Sequence, residues 1–170
     1  MEGLTRCNFF NKFNKIDILN HKVRKAKIDD QKLYIEALNI TPEEAFIKVS
    51  NMIKGYKKNK ETPFIIVNES GKLVGEIFVF YIPNNEKTIG INIDFFNNYD
   101  NVLFSVLLIK KFILYAKYTF KVEKIFFFCD YKNENLKKIY NTFYVEYILD
   151  VCIDKFNNKK SLFKFNIYDQ

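Results

Sequence analysis

Two apolar blocks in close succession, Val102–Tyr118 and Val122–Cys129, restrict this chain more than any other feature. The first has helical length, but it is short for a bilayer and carries Lys110 and Lys111 at its centre, which a membrane interior would penalise. It is therefore expected to be a buried helix of a soluble protein. The second has strand length, and its near-continuous apolar run implies burial on both faces. A further strand, Thr88–Phe95, precedes the helix. A helix of this length between two strands is the crossover that joins parallel neighbours. The chain is thus expected to hold a parallel pair inside a larger sheet.

The surrounding sequence supplies the rest of that sheet. Val23–Ile28 alternates apolar and polar residues, as a half-buried strand does, and Asp29-Asp30 suits the first turn of a helix carrying Leu33, Ile35 and Leu38. Thr41-Pro42-Glu43-Glu44 is a helix start, with Thr as N-cap, Pro in the first position and Glu in the third for a capping box. Ala45, Phe46, Val49 and Ile53 then follow at helical spacing. Phe64–Val67 and Leu73–Ile82 read as strands around the turn Asn68-Glu69-Ser70-Gly71, and Pro83-Asn84-Asn85 as a turn before Thr88–Phe95. After the central blocks come an amphipathic helix, Asn133–Phe143, and two strands, Tyr147–Asp154 and Ser161–Ile167, around Asn157-Asn158-Lys159-Lys160. The expected fold is α/β (α+β), a mixed and mostly antiparallel sheet of about seven strands with flanking helices, in the order β-α-α-β-β-β-α-β-α-β-β.

At 170 residues, 48% of them hydrophobic and with 19 Phe and 11 Tyr, the chain has too much apolar surface to be disordered. No linker or repeat divides it, so residues 22–170 are expected to form a single domain after an N-terminal extension, 1–21. His21 would precede the domain proper as a surface residue. Cys7, Cys129 and Cys152 form no C-x-x-C and only one histidine is present, so no metal site is expected and the thiols read as free in a reducing compartment. The first residues show no secretory signal, which suits a cytoplasmic location. The net charge of +7 would attract polyanions, but the basic residues are scattered and no nucleic-acid motif accompanies them, so nucleic acid is not an expected partner.

Three stretches carry a resemblance beyond element order: FIIVNESGKLVGEIFVF (Phe64–Phe80), TIGINID (Thr88–Asp94) and VEKIFFFCDYKNENLKKIYNTF (Val122–Phe143). The last places Asn133 at a helix start and Tyr140 seven residues on. With these segments the chain resembles the GNAT superfamily of acetyl-CoA-dependent N-acyltransferases, from about Val23 onwards. The resemblance implies an acyl group passed from acetyl-CoA, or another acyl-CoA, to the amine of a small molecule or peptide by direct attack. Tyr140 would be the general acid, and Glu76 or Asp94 the carboxylate base. Glu76 read from strand alternation alone would be a solvated outward residue, and Asp94 a strand terminator bonded to loop amides. Ile93 and Phe95 would contact the pantetheine arm, and Asn101, Val102, Leu103, Phe104 and Asn133 would complete the cofactor site. A homodimer through apolar edge strands at the C-terminus fits the same reading.

The family's Gly-rich pyrophosphate loop has no counterpart. The aligned segment is Tyr99-Asp100-Asn101-Val102-Leu103-Phe104, and no glycine lies beyond Gly90. Asp100 would cap the helix and repel a pyrophosphate, whereas Asn97, Asn98 and Asn101 are able to take left-handed backbone conformations. Tyr144-Val145 likewise replaces the Gly-Phe usual after the Tyr-bearing helix. That last change bears on packing rather than chemistry; the missing glycines and Asp100 support the alternative of a GNAT-like domain without catalysis, serving as a binding or regulatory module.

Overall fold

A computed structural model describes residues 15–57, 61–82, 87–97, 99–143, 146–153 and 159–167. The turn read at Pro83-Asn84-Asn85, Asn98, Tyr144-Val145, Asn157-Asn158 and Cys7 lie outside these residues. The chain divides into two compact units, Met1–Phe80 with Phe95–Tyr99, and Tyr81–Asp94 with Asp100–Gln170.

In the first unit four antiparallel strands run in chain order, β1 (Lys15–Ile18), β2 (His21–Lys25), β3 (Glu61–Val67) and β4 (Leu73–Tyr81). β1 falls inside the stretch expected as an extension, because Ile16 and Ile18 alternate inward between exposed Lys15 and Asp17. Four residues give too short an alternation to stand out in the sequence. His21 is likewise not a surface residue; it opens β2 and is buried. Two helices follow β2, α1 (Gln31–Leu38) and α2 (Pro42–Lys57). Asp30 locks the approach to α1: both its oxygens take the Arg24 guanidinium, at 2.6 and 2.8 Å, and Oδ2 also accepts from the Lys27 amide. The capping box of α2 forms as read, with the Glu44 amide donating to Thr41 Oγ1 and the Thr41 amide to Glu44 Oε2. Tyr34, Ala45, Val49 and Met52 of these helices pack with Ile65, Val67 and Leu73 into one core. The turn after β3 also holds, with Gly71 at φ +80 where a side chain would be strained.

In the second unit the strand order is β5 (Thr88–Phe95), β6 (Lys124–Asp130), β8 (Lys159–Asn166) and β7 (Glu146–Ile153). β5 and β6 are parallel, as the crossover requires, and the remaining pairs are antiparallel, so the sheet is mixed. The crossover helix α3 (Val102–Tyr115) buries Phe104, Leu108, Ile109 and Phe112 along one stripe. It ends in a wider π-helical turn, Ala116–Phe120, closed by Lys121 at φ 53 and by the Val122 amide on the Ala116 carbonyl. The last helix, α4 (Glu134–Thr142), buries Leu136, Ile139 and Tyr140. β6 is not buried on both faces: Ile125, Phe127 and Cys129 are covered, whereas Phe126 and Phe128 are only half-buried. Aromatic content hid that difference, because Phe suits either side. β3 carries the two-sided burial instead, from Thr62 to Val67.

Candidate active site

Register decides which side chains of the second unit share a face. β5 and β6 stay paired from Thr88↔Lys124 to Ile93↔Cys129, and β6 pairs with β8 through Cys129↔Ser161 and Asp130↔Lys160. Side chains alternate along each strand, so Ile93, Cys129 and Ser161 share one face. Asn92, Asp94, Asp130 and Lys160 share the other.

On the first face Tyr140 is wholly buried. Its ring stacks on Phe127, at 5.0 Å between centroids, and tilts against Phe163 at the same distance. Its hydroxyl donates to the Phe128 carbonyl over 3.4 Å, a long and therefore weak hydrogen bond. Desolvation pushes the phenol well above its ordinary pKa, with Cys129 and Asp94 adding to the rise through charge. Tyr140 is thus a protonated donor at any physiological pH. Cys129 beside it is free and buried, and burial pushes its thiol up to about 12, which makes it inert.

On the opposite face Asp94 stands one residue past the last β5–β6 pair. Its Oδ1 accepts from Lys160 Nζ at 2.5 Å and its Oδ2 from Asn92 Nδ2 at 2.7 Å. Lys160 reaches it from β8, across the whole width of β6. Asp94 therefore bonds side chains rather than loop amides.

The first unit holds the other candidate carboxylate. Glu76 of β4 lies opposite Ile65, and this face of the sheet is the one covered by α1 and α2. It is buried, not outward, and its Oε2 accepts from Tyr34 at 2.9 Å while Oε1 accepts from Lys48 at 3.0 Å. Desolvation and the Glu76 charge both push the Tyr34 phenol far above its normal range. Phe95 lies in this unit too, its ring tilted against Tyr99 at 5.7 Å, and Tyr99 bonds His21 Nε2. Asn97 takes a left-handed φ of 52 and donates to the Ala37 carbonyl at 2.8 Å. An asparagine therefore makes the backbone turn for which the sequence offers no glycine.

The helix starts differ from expectation in one respect. Asn101, not Asp100, caps α3, its side chain accepting from the Phe104 amide at 3.0 Å. Asp100 instead takes the Asn135 side-chain amide at 2.6 Å. The first turn beyond the cap is open, Val102 being 53% and Leu103 60% exposed, whereas Phe104 is buried. Asn133 caps α4 in the same way, accepting from the Leu136 amide at 3.0 Å. Ile93 is fully buried at the last paired position of β5. Among the described residues no group of three metal-ligating side chains occurs, and no helix is long and apolar enough to cross a membrane.

Solved structures settle what this arrangement of strands and helices is. A GCN5-related N-acetyltransferase from Brucella melitensis matches with a TM-score of 0.69 at 12% identity, over 91% of this chain and 79% of that one. This chain has the GNAT fold. Within that fold, a ribosomal-protein-S5-alanine acetyltransferase from Vibrio fischeri gives 0.68 at 13% identity, covering 91% of this chain and 97% of its own. A dodecameric spermidine N-acetyltransferase from Vibrio cholerae gives 0.62 at 14%, covering 87% and 94%. No family model and no curated protein matches the sequence.

Lys160, Asn92, Tyr34 and Lys48 were not among the residues singled out by sequence. Asn92 and Asp94, two apart on a strand, share a face and were open to discovery. Nothing in spacing ties either to a lysine 66 residues away.

Proposed function

We propose that the chain is an N-acyltransferase that passes an acyl group from acyl-CoA to a primary amine. The observation that carries this reading is the placement of Asp94 and Tyr140 on opposite faces of the parallel pair, near the same strand ends. A direct transfer needs a base for the attacking amine and an acid for the departing group, both within reach of the reacting carbon. Bound acyl-CoA supplies an activated thioester. Asp94 takes the proton of the acceptor ammonium, directly or through water, and Tyr140 delivers its phenolic proton to the departing sulfur. Glu76, held by Lys48 and Tyr34, is the second candidate base. The backbone at Ile93, the last paired position of β5, would meet the pantetheine arm. The open first turn of α3, at Val102 and Leu103 with Asn101 as cap, would face the pyrophosphate, with Phe104 beneath it. Asn133 would hold the start of α4 and so the placement of Tyr140.

The acceptor is an amine-bearing small molecule or peptide, in keeping with neighbours named for a ribosomal protein and for spermidine. A second reading, a GNAT-fold module without catalysis, draws on Asp100, whose charge sits one residue before the cap of α3.

Isothermal titration with acetyl-CoA and with longer acyl-CoAs separates the two. Micromolar binding, with Tyr140→Phe binding as tightly but transferring about 100-fold more slowly to a panel of amines, is the expected result. No heat with any acyl-CoA would leave the binding module as the surviving function.

A further inference from the structure

We propose that Lys160 and Asn92 are positioning residues that fix Asp94 as the acid–base carboxylate, an assignment that rests on the transferase reading above. Only 5% of the Lys160 side chain is exposed. An ammonium removed from water this far is destabilising unless a matched anion accompanies it, and its anion is Asp94 at 2.5 Å. The partner was not the nearest carboxylate by register: Lys160 stands opposite Asp130, and passes it to reach the next strand. Asp130 stays exposed and takes the Lys132 amide at 2.8 Å.

The two donors occupy different oxygens of Asp94, which sets the plane of the carboxylate as well as its charge. An ionised carboxylate offers about four lone-pair sites, so two remain to receive a proton from an amine. The atoms balance simply. The acceptor N–H bond breaks as an Asp94 O–H bond forms, and that proton then passes to solvent. The donors come from β5 and β8, strands of one sheet, so the geometry is set before any ligand arrives. Asp94 lies one residue past the last β5–β6 pair, whereas Asn92 and Lys160 are held within the ladders, opposite Phe128 and Asp130.

The experiment combines Lys160→Met, Lys160→Arg and Asn92→Ala, each with and without Asp94→Asn, in the full chain. Steady-state transfer should show about 100-fold lower kcat for Lys160→Met and about tenfold for Asn92→Ala, with the KM for acyl-CoA unchanged and Lys160→Arg recovering most of the loss. Adding either change to Asp94→Asn should cause no loss beyond that of Asp94→Asn alone, since all act through one group. Should Lys160→Met fail to fold, Asn92→Ala removes the second donor without stranding a charge. In parallel, the Asn92 side-chain amide signals in NMR spectra should move in Lys160→Met and stay in Lys160→Arg. Losses that multiply with Asp94→Asn, or an Asn92 amide indifferent to Lys160→Met, would overturn the proposal. A wild-type protein that neither binds nor uses acyl-CoA defeats the transferase reading instead, and the amide signals still report whether Lys160 sets Asp94.

Discussion

Glu76 and Asp94 share a design and differ in where solvent meets it. Each is a strand carboxylate with one oxygen on a lysine ammonium and the other on a neutral donor. Lys48, however, comes from a helix and keeps 32% of its side chain in solvent, whereas Lys160 comes from a strand of the same sheet and keeps 5%. The exposures of the carboxylates run the other way, Glu76 at 8% and Asp94 at 24%, so solvent reaches the ammonium in one pair and the carboxylate in the other.

The sharpest way to break this comparison is to delete the two ammonium groups. Lys160→Met should destabilise the protein by about 3 kcal/mol, because it removes a buried ammonium from Asp94 and leaves that carboxylate with Asn92 and partial solvent. Lys48→Met should cost less, about 2 kcal/mol, because buried Glu76 keeps its bond from Tyr34. Urea unfolding at neutral pH measures both, and equal losses would show that the two carboxylates are equally fixed.

The neutral donors sharpen the contrast at a smaller scale. Tyr34→Phe leaves Glu76 with Lys48 alone and should cost about 2 kcal/mol, the range for a hydrogen bond to a charged group. A shift in the urea midpoint no larger than that of an exposed Tyr→Phe, such as at Tyr118, would mean that Lys48 and solvent suffice.

The smallest expected effect concerns pH. His21 belongs to the first unit and is the chain's one histidine. Burial pushes its pKa below the ordinary 6.5, against a weaker opposing pull from Glu69. The neutral form is therefore favoured on folding, and the stability it lends is complete above about pH 6.5. It is lost as pH falls through the lower folded value. The wild-type urea midpoint should drop between pH 7 and pH 5, and His21→Gln should flatten that part of the curve. A midpoint that rises on acidification would reverse the sign of the burial effect.

Much of the scaffold was legible because its signals are local. The capping box at Thr41, the Asn133 cap, the turn at Gly71 and the crossover between β5 and β6 each follow from a few adjacent residues. The site was legible only in part. Tyr140 and Asp94 stand out by type and place in the chain, but the residues that control them do not. Tyr34 meets Glu76 across 42 residues and Lys160 meets Asp94 across 66, and both contacts depend on which faces the helices and strands present. Asp100 was misread for the same reason: its partner, Asn135, begins another helix, which left the cap to its neighbour.

The π-helical turn at Ala116–Phe120 sets the phase of everything after it. Strand faces alternate with every residue, so the length of the path from α3 into β6 decides whether Phe127 and Cys129 or Phe126 and Phe128 meet the core. The wide turn accommodates an odd residue that a regular helix end would pass on as a frame shift in the sheet. Insertions and deletions in this connection should accordingly be tolerated in twos and rejected singly, as though the chain were read there in steps of two.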